Sequence, residues 1–204
     1  VEEQPRLTQA LRAFVSAALE KSVDLHVAVT TTGIAPESDL CPGGARGGEA
    51  ARLLPVDGSS PRILTHQTSD LAARLQANAQ VGQCASVEQG FEAVRRAISE
   101  PLVSRADDPR TPQPNDGNAG FLRDEAALVV VFVGDEDDHS PDSVDTYVRY
   151  FQSRKGEFQP QRMTIYAIAP TGTPCSTAGG AGTRYAEAAA RTGGEGVSVC
   201  AEDY

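Results

Sequence analysis

An acidic segment follows the most hydrophobic stretch of the chain. Gly134-Asp135-Glu136-Asp137-Asp138 comes directly after residues 126–133, which contain only alanine, leucine, valine and phenylalanine. Adjacent carboxylates repel one another unless cations, backbone amides or water screen them. Hard divalent cations prefer oxygen ligands of this kind. The loop is therefore a candidate cation site, with Mg²⁺, Mn²⁺ or Ca²⁺ as the candidate ions.

Two other interpretations of the loop remain open. Asp138, Ser140 or Asp142 could cap the helix that follows, because a helix N-terminus favours negative charge, or the acidic run could be a solvated loop. A role in a site is favoured for Asp135, since ligands of open parallel sheets bind at the carboxyl ends of the strands. For Glu136, Asp137 and Asp138 the interpretations are evenly balanced.

Predicted helices and strands alternate along the chain, and these elements must position the acidic loop. Hydrophobic periodicity predicts helices over residues 6–20, 86–99, 142–155 and 185–191, and another that Ser69 or Asp70 caps and that runs through Ala77. Short β-branched segments predict strands over residues 24–30, 62–65, 126–133, 163–169 and 197–200. The alternation predicts an α/β fold with a Rossmann-like, open, mostly parallel sheet and helices on both faces. The continuous apolar run of 126–133 predicts a strand that is buried on both faces.

Composition excludes several classes of protein. The net charge is −10 with only two lysines, which disfavours nucleic-acid binding, and no apolar run is long enough for a transmembrane segment. No signal peptide is visible, because Val1 is followed at once by Glu2 and Glu3; a mature protein or an excised segment would begin this way, so this does not argue for the cytosol. Four widely spaced cysteines without a CxxC pair favour disulfides and an oxidising compartment over a zinc site; four free cysteines in a cytosolic protein are the alternative. They are Cys41, Cys84, Cys175 and Cys200.

Catalytic motifs are absent from the sequence or incomplete in it. A strand followed by Asp135-Glu136-Asp137 is similar to phosphatases that use an aspartyl nucleophile and magnesium. Here, however, Asp138 and His139 follow, and the segment lies past mid-chain. Neither a GxSxG elbow nor a GxxxxGK[ST] loop is present.

The order of elements resembles the von Willebrand factor A domain over nearly the whole chain. Residues 128–135 look like that family's fourth strand, which ends in an aspartate of its metal-ion-dependent adhesion site. Residues 83–90 lie where the family has the loop with its metal-binding threonine, and Ser86 is the nearest hydroxyl. Residues 120–123 and 132–138 are particularly similar to secreted bacterial members.

The resemblance implies a single domain over residues 1–204 that lacks the family's first strand with the Asp-x-Ser-x-Ser motif. Either residues before Val1 supply this strand, or another segment takes its place, or the fold differs from that of the family. If the motif is absent, three ligand positions are missing and metal binding should be poor. The resemblance implies that Asp135 and Ser86 bind a metal ion, with Glu136, Asp137 and Asp138 as auxiliary residues, and that an acidic group of the partner completes the coordination. The family topology places the cysteines in loops of one face and implies the pairs Cys41–Cys84 and Cys175–Cys200.

We therefore expect a non-catalytic, adhesion-type module, exported by a bacterium and either secreted or held in the cell envelope. It would recognise a protein or a surface polymer through the carboxyl-end face of the sheet. One alternative is a divalent-metal-dependent, phosphatase-like hydrolase that uses the loop Asp135–Asp138. Another is a metal-free structural domain of an envelope protein. The sequence predicts no oligomeric state.

Overall fold

The fold is taken from a computed structural model that describes residues 4–34, 50–55, 60–81, 87–106, 108, 110, 117–156, 158–171 and 178–201, with backbone only for 4–9 and 11. The chain divides into two compact units. The first comprises residues 1–86 and 96–121, and the second comprises residues 87–95 and 122–204. A single domain over residues 1–204 stays a prediction.

The first unit begins with a long amphipathic helix and a short antiparallel strand pair. It contains α1 (Gln4–Glu20), β1 (His26–Val27), β2 (Leu64–Thr65) and α2 (Leu71–Asn78). The strands pair in the register His26↔Thr65 and Val27↔Leu64. The predicted helices are confirmed, and the predicted strands are shorter than expected. One cluster of buried apolar side chains in this unit comprises Val15, Leu64, Leu71 and Leu75.

The start of α2 differs from the prediction. Asp70 precedes the helix with a left-handed φ of 55°, and its side chain makes no capping hydrogen bond. The expected cap by Asp70 is therefore wrong. Left-handed backbone is uncommon for a residue with a Cβ, although Asp tolerates it better than most.

The second unit is a parallel sheet with helices. Its elements are α3 (Gly90–Ala97, whose end continues into the first unit), β3 (Leu128–Val133), α4 (Val144–Ser153), a 3₁₀ helix (Pro160–Arg162), β4 (Met163–Ala169), α5 (Thr183–Arg191) and β5 (Gly196–Ser198). The strands lie in the order β3-β4-β5. All pairs are parallel, from Leu128↔Met163 to Val133↔Ile168 and from Ala167↔Gly196 to Ala169↔Ser198. The predicted α/β class is confirmed.

Aromatic side chains join the helices of this unit to one face of the sheet. Phe132 of β3 stacks on Tyr185 of α5 at 4.7 Å between ring centroids and meets Phe91 of α3 edge-on at 5.0 Å. Phe91 also contacts Tyr147 of α4 at 5.4 Å. All four rings are buried. Such pairs add specific geometry to the free energy gained by burying large apolar surfaces.

The burial of β3 corrects the expectation of a strand that is covered on both faces. Phe132 is 5% exposed, whereas Val129 and Val131 are each 52% exposed. Burial along β3 is uneven, as in a strand with one face toward the core and one away from it. The unbroken apolar composition of the segment conceals this pattern, because valine is compatible with either environment.

No helix in the part of the chain that the structure describes is long and apolar enough to cross a membrane.

The one-sided packing of β3 predicts unequal costs for neighbouring substitutions. Phe132→Ala removes a ring that contacts two helices and should lower the free energy of unfolding by about 3–5 kcal/mol. Val131→Ala on the exposed face should lower it by less than about 1 kcal/mol. Urea unfolding followed by circular dichroism measures both variants. Equal losses would contradict the observed sidedness of the strand.

Candidate functional site

The acidic loop lies at the carboxyl edge of the parallel sheet. It follows Val133, the last residue of β3, and continues to Ser140. The backbone of the next segment along this edge is tied to it, because the Gly179 amide donates to the Asp135 carbonyl at 2.8 Å. The loop is therefore held at the position where parallel α/β sheets bind ligands.

Asp138 is the most deeply buried acidic residue of this loop, with 3% of its surface exposed. Its carboxylate accepts hydrogen bonds from the Phe91 amide at 3.0 Å and from the Ser140 hydroxyl at 2.7 Å. It also accepts from the Ser140 amide at 3.1 Å and forms an ion pair with Arg184 at 3.1 Å. These partners compensate the cost of burying the charge.

Asp138 and Ser140 together cap α3 rather than the helix that follows them. The Phe91 amide donates to Asp138, and the Glu92 amide donates to the Ser140 hydroxyl at 2.9 Å. Both amides belong to the first turn of α3, where backbone donors have no partner within the helix. The loop thus supplies, from a distant part of the sequence, the caps that this helix needs.

Asp137 has the same role at the start of α5. Its carboxylate accepts from the Thr183 hydroxyl at 2.6 Å and from the Arg184 amide at 2.9 Å. It also accepts from the Asp138 amide at 3.0 Å. A carboxylate at a helix N-terminus is stabilised by both the free amides and the helix dipole.

The cap of α4 corrects another prediction. Ser143 occupies the capping position, and its hydroxyl accepts from the Thr146 amide at 3.2 Å. The expectation that Asp138, Ser140 or Asp142 caps this helix is therefore wrong. Asp138 and Ser140 are engaged at α3, and the Asp142 carbonyl accepts from Arg184 at 2.6 Å.

Arg184 contacts several residues of the acidic loop and of the segment that follows it. Besides the ion pair with Asp138, its guanidinium donates to the carbonyls of Ser140 at 3.1 Å and Asp142 at 2.6 Å. The guanidinium carbon also lies 5.6 Å from the centre of the Phe91 ring. The fixed fork of the guanidinium suits such simultaneous contacts. The positive charge of Arg184 is thus compensated by the Asp138 carboxylate and by the two carbonyls.

Asp135 and Glu136 differ from the next two acidic residues. Neither side chain makes a hydrogen bond or ion pair with any of the residues that the structure describes, and both are half-buried. The Glu136 side chain lies against Gly179, where an added Cβ would stand 2.7 Å from its Oε1. These are the two carboxylates of the loop that remain available to a ligand.

Glu88 joins these carboxylates from the segment before α3. Its carbonyl accepts from the His139 amide at 2.8 Å, which ties this segment to the acidic loop. Its Oε2 is buried without a hydrogen-bond partner in the described part of the chain, and a Cβ on Gly134 would lie only 3.2 Å from that oxygen. Burial first, and then the charges of Asp135, Glu136 and Asp138, raises the pKa of Glu88 from 4.5 to about 7.

Sequence reasoning did not identify Glu88 as a site residue. Glu88 lies within residues 83–90, the segment that the family resemblance associates with a metal ligand. The resemblance calls for a hydroxyl ligand, however, and therefore predicts Ser86 rather than Glu88. Its place in the predicted first turn of a helix suggested a capping role instead. The sequence did contain a signal for Glu88, because it is an acidic residue in a segment expected at the same edge of the sheet as Asp135.

Tyr185 places a second unpartnered oxygen near this cluster. The residue is 1% exposed, and its hydroxyl makes no hydrogen bond of normal geometry with the described residues. Burial raises the pKa of Tyr185 well above its usual value, the negative charges of Asp138, Glu88 and Asp137 raise it further, and the nearby Gly90 amide opposes the shift. Buried hydroxyls nearly always have a partner, so this one is exceptional.

Several predicted residues lie outside the described residues: Ser86, Cys41, Cys84 and Cys175. Cys200 forms a disulfide bond. Its partner must be one of the three other cysteines, so the pairs Cys41–Cys84 and Cys175–Cys200 stay predictions. Of the five predicted metal-binding residues, the structure brings Asp135 and Glu136 together as available carboxylates and engages Asp137 and Asp138 at helix ends.

The donor atoms of this cluster suit a hard cation, although no metal centre is preformed. Within the described residues, no group of three or more His, Cys, Asp or Glu side chains is arranged to hold a metal ion. Oε2 of Glu88 and the hydroxyl of Tyr185 stay buried without a hydrogen-bond partner in the described part of the chain.

The chain matches no protein-family model, no curated protein and no solved structure.

The capping role of Asp138 predicts a large effect on stability. Asp138→Ala removes the acceptor for the Phe91 amide and leaves Arg184 without its ion-pair partner. The free energy of unfolding should fall by about 3 kcal/mol or more. Asp142→Ala is the matched control, since the contact of Asp142 with Arg184 uses the backbone carbonyl, and it should change stability by less than about 0.5 kcal/mol. Urea unfolding that shows similar values for the two variants would refute the capping role.

The raised pKa of Glu88 predicts a specific pH dependence of stability. The folded state holds the Glu88 proton up to a pH of about 7, whereas the unfolded chain releases it near 4.5. The folded state therefore binds more protons between these values, and the Glu88 contribution to stability falls as the pH rises through this window. Glu88→Gln should remove that decline and be more stable than the wild type above a pH of about 7.

Urea unfolding in the presence of a chelator, at several pH values between about 5 and 8, measures this contribution as the difference between Glu88→Gln and the wild type. The subtraction cancels the titration of all other groups to first order. A difference that is constant over the window would show that Glu88 titrates normally.

Proposed function

We propose that this chain is a cation-assisted binding module of the von Willebrand factor A type, exported by a bacterium. It recognises a protein or a surface polymer through the carboxyl-end face of its sheet. The observation that carries the proposal is the division within the acidic loop. Asp137 and Asp138 are used by helix ends, whereas Asp135 and Glu136 are held at the sheet edge without a partner among the described residues.

The arrangement of the second unit supports the fold assignment. The strand order β3-β4-β5 is parallel, and the acidic loop leaves the carboxyl end of β3, as the resemblance requires for the family's fourth strand and its aspartate. In this interpretation the sheet is Rossmann-like and open.

Asp135 is the residue that would contact the ion most directly, with Glu136 beside it. A bound divalent ion supplies an electrophilic position that an acidic group of the partner completes. The chain's own part is to hold the two carboxylates at the sheet edge. It does so through the Gly179–Asp135 backbone hydrogen bond and through Arg184, which closes the loop behind them.

The same geometry favours binding over hydrolysis. In a phosphatase of the Asp-x-Asp kind, the second aspartate takes part in the chemistry. Asp137, which has that place here, accepts three hydrogen bonds from Thr183, Arg184 and Asp138. A carboxylate so engaged is poorly suited to proton transfer. The disulfide bond of Cys200 supports an exported location, since such bonds persist in oxidising compartments.

Isothermal titration calorimetry with Mg²⁺, Mn²⁺ and Ca²⁺ tests the proposal. We expect the wild type to bind at least one of these ions, Asp135→Ala to lose that binding, and Asp142→Ala to retain it. The loaded wild type should not hydrolyse phosphate esters. If no ion binds the wild type, the cation-assisted function is refuted, and turnover of a phosphate ester would support the hydrolase instead.

A further inference from the structure

We infer that the outer edge of β3, the edge that faces away from β4, is a docking site for an extended segment of a partner protein. This segment adds to the sheet as a further strand beside β3. It has apolar side chains at alternate positions and a basic side chain at the end that lies next to Asp135 and Glu136. The surface is separate from the proposed cation site, and docking on it requires no bound ion.

The first argument is the direction of the backbone groups of β3. Among the described residues, β3 pairs with β4 alone. The Gly134 amide, one residue after the strand, donates to the Ile168 carbonyl of β4 at 3.1 Å. Because successive residues of a strand direct their backbone groups to alternate sides, the amides and carbonyls of Val129, Val131 and Val133 point to the outer edge. They have no hydrogen-bond partner in the described part of the chain.

The second argument is that the same three residues are accessible. Val129 and Val131 are the half-exposed valines described above, and Val133 is 37% exposed. Tyr166, which lies beside Val131 on β4, is exposed as well and extends this apolar face. Exposed apolar side chains on neighbouring strands indicate an interaction surface. A row of unpaired amides and carbonyls indicates the kind of partner, because another strand satisfies such a row.

The third argument is that β3 lacks the features that usually protect an edge strand. Edge strands are commonly very short, or they contain lysine, proline or a bulge. β3 has six residues, LVVVFV, without a charged residue or a proline, and its pairing with β4 is continuous. An apolar strand of this kind readily accepts another strand. The composition of β3 therefore fits an edge that is covered in the functional state.

The charges near the ends of β3 argue against a second copy of this chain as the occupant. In a parallel pair of β3 strands, Asp135 and Glu136 would lie beside their own copies. In an antiparallel pair they would lie near Asp124 and Glu125 of the other copy. Like charges opposite one another destabilise strand pairing. A basic residue would instead meet two carboxylates that have no partner among the described residues, so an apolar segment with a basic end is the favoured occupant.

The test uses a short synthetic peptide in which valine alternates with threonine and an arginine stands at each end. Fluorescence anisotropy of the labelled peptide measures binding in the presence of a chelator, so that the proposed cation site does not contribute. The wild type should bind this peptide. A peptide with glutamate at each end should bind at least about 5-fold more weakly, and one with methylated backbone amides at least about 10-fold more weakly.

Two variants of Val131 separate backbone pairing from side-chain packing. Val131→Pro removes an amide that β4 does not use, so the sheet should still form, but the outer edge loses a donor. Its affinity for the arginine peptide should fall at least about 10-fold. Val131→Thr keeps the amide and the β-branched side chain and should bind within about 2-fold of the wild type. Circular dichroism checks that both variants are folded. Equal affinities of Val131→Pro and the wild type would overturn the inference.

Amide hydrogen exchange measured by NMR tests the same edge without any variant. In the free protein, the amides of Val129, Val131 and Val133 should exchange faster than those of Val130 and Phe132, and the arginine peptide should slow the first set selectively. Slow exchange of the first set without peptide would show that the edge is already occupied. Sedimentation velocity then shows whether a second copy is the occupant. Prior occupation of the edge, by a second copy or by the same chain, overturns the inference.

Discussion

The structure of the second unit depends on the buried carboxylate of Asp138. It accepts hydrogen bonds from the first turn of α3 and from Ser140, and it pairs with Arg184 of α5. One side chain therefore joins the loop after β3 to two helices that are distant in sequence. A buried charge is tolerated only when such partners surround it, and the four groups consequently have to come together as a unit.

Because Asp138 needs these partners, the acidic loop divides into two parts that have different roles. Asp137 and Asp138 are neutralised by helix amides and by Arg184, and they stabilise the scaffold. Asp135 and Glu136 have no such compensation, and burial together with the neighbouring negative charges raises the pKa of Glu88 and disfavours its charged form. Residues that stabilise the scaffold are thus adjacent to the residues that we propose take part in recognition.

The sequence predicted that the acidic loop lies at the carboxyl end of a strand, but not which of its side chains the fold engages. A carboxylate at the end of an apolar strand is recognisable because parallel strands share a carboxyl edge, and Asp135 was singled out on that basis. Glu88 and Tyr185 were missed because their relevance depends on which side chains remain unpartnered after folding. Asp138 could not be assigned either, since its capped helix precedes it by many residues and local sequence favours the helix that follows.

The sequence by itself determined the order and type of the main elements, because helical and strand periodicities of apolar residues are local properties. Residues 163–169 and the α/β class follow directly from these patterns. Only the tertiary structure decided which face of β3 is covered, since a run of valines suits either environment until Phe132 packs on Phe91 and Tyr185. It also decided which carboxylates are satisfied, because the hydrogen bonds of a buried charge come from whichever groups the fold brings near it.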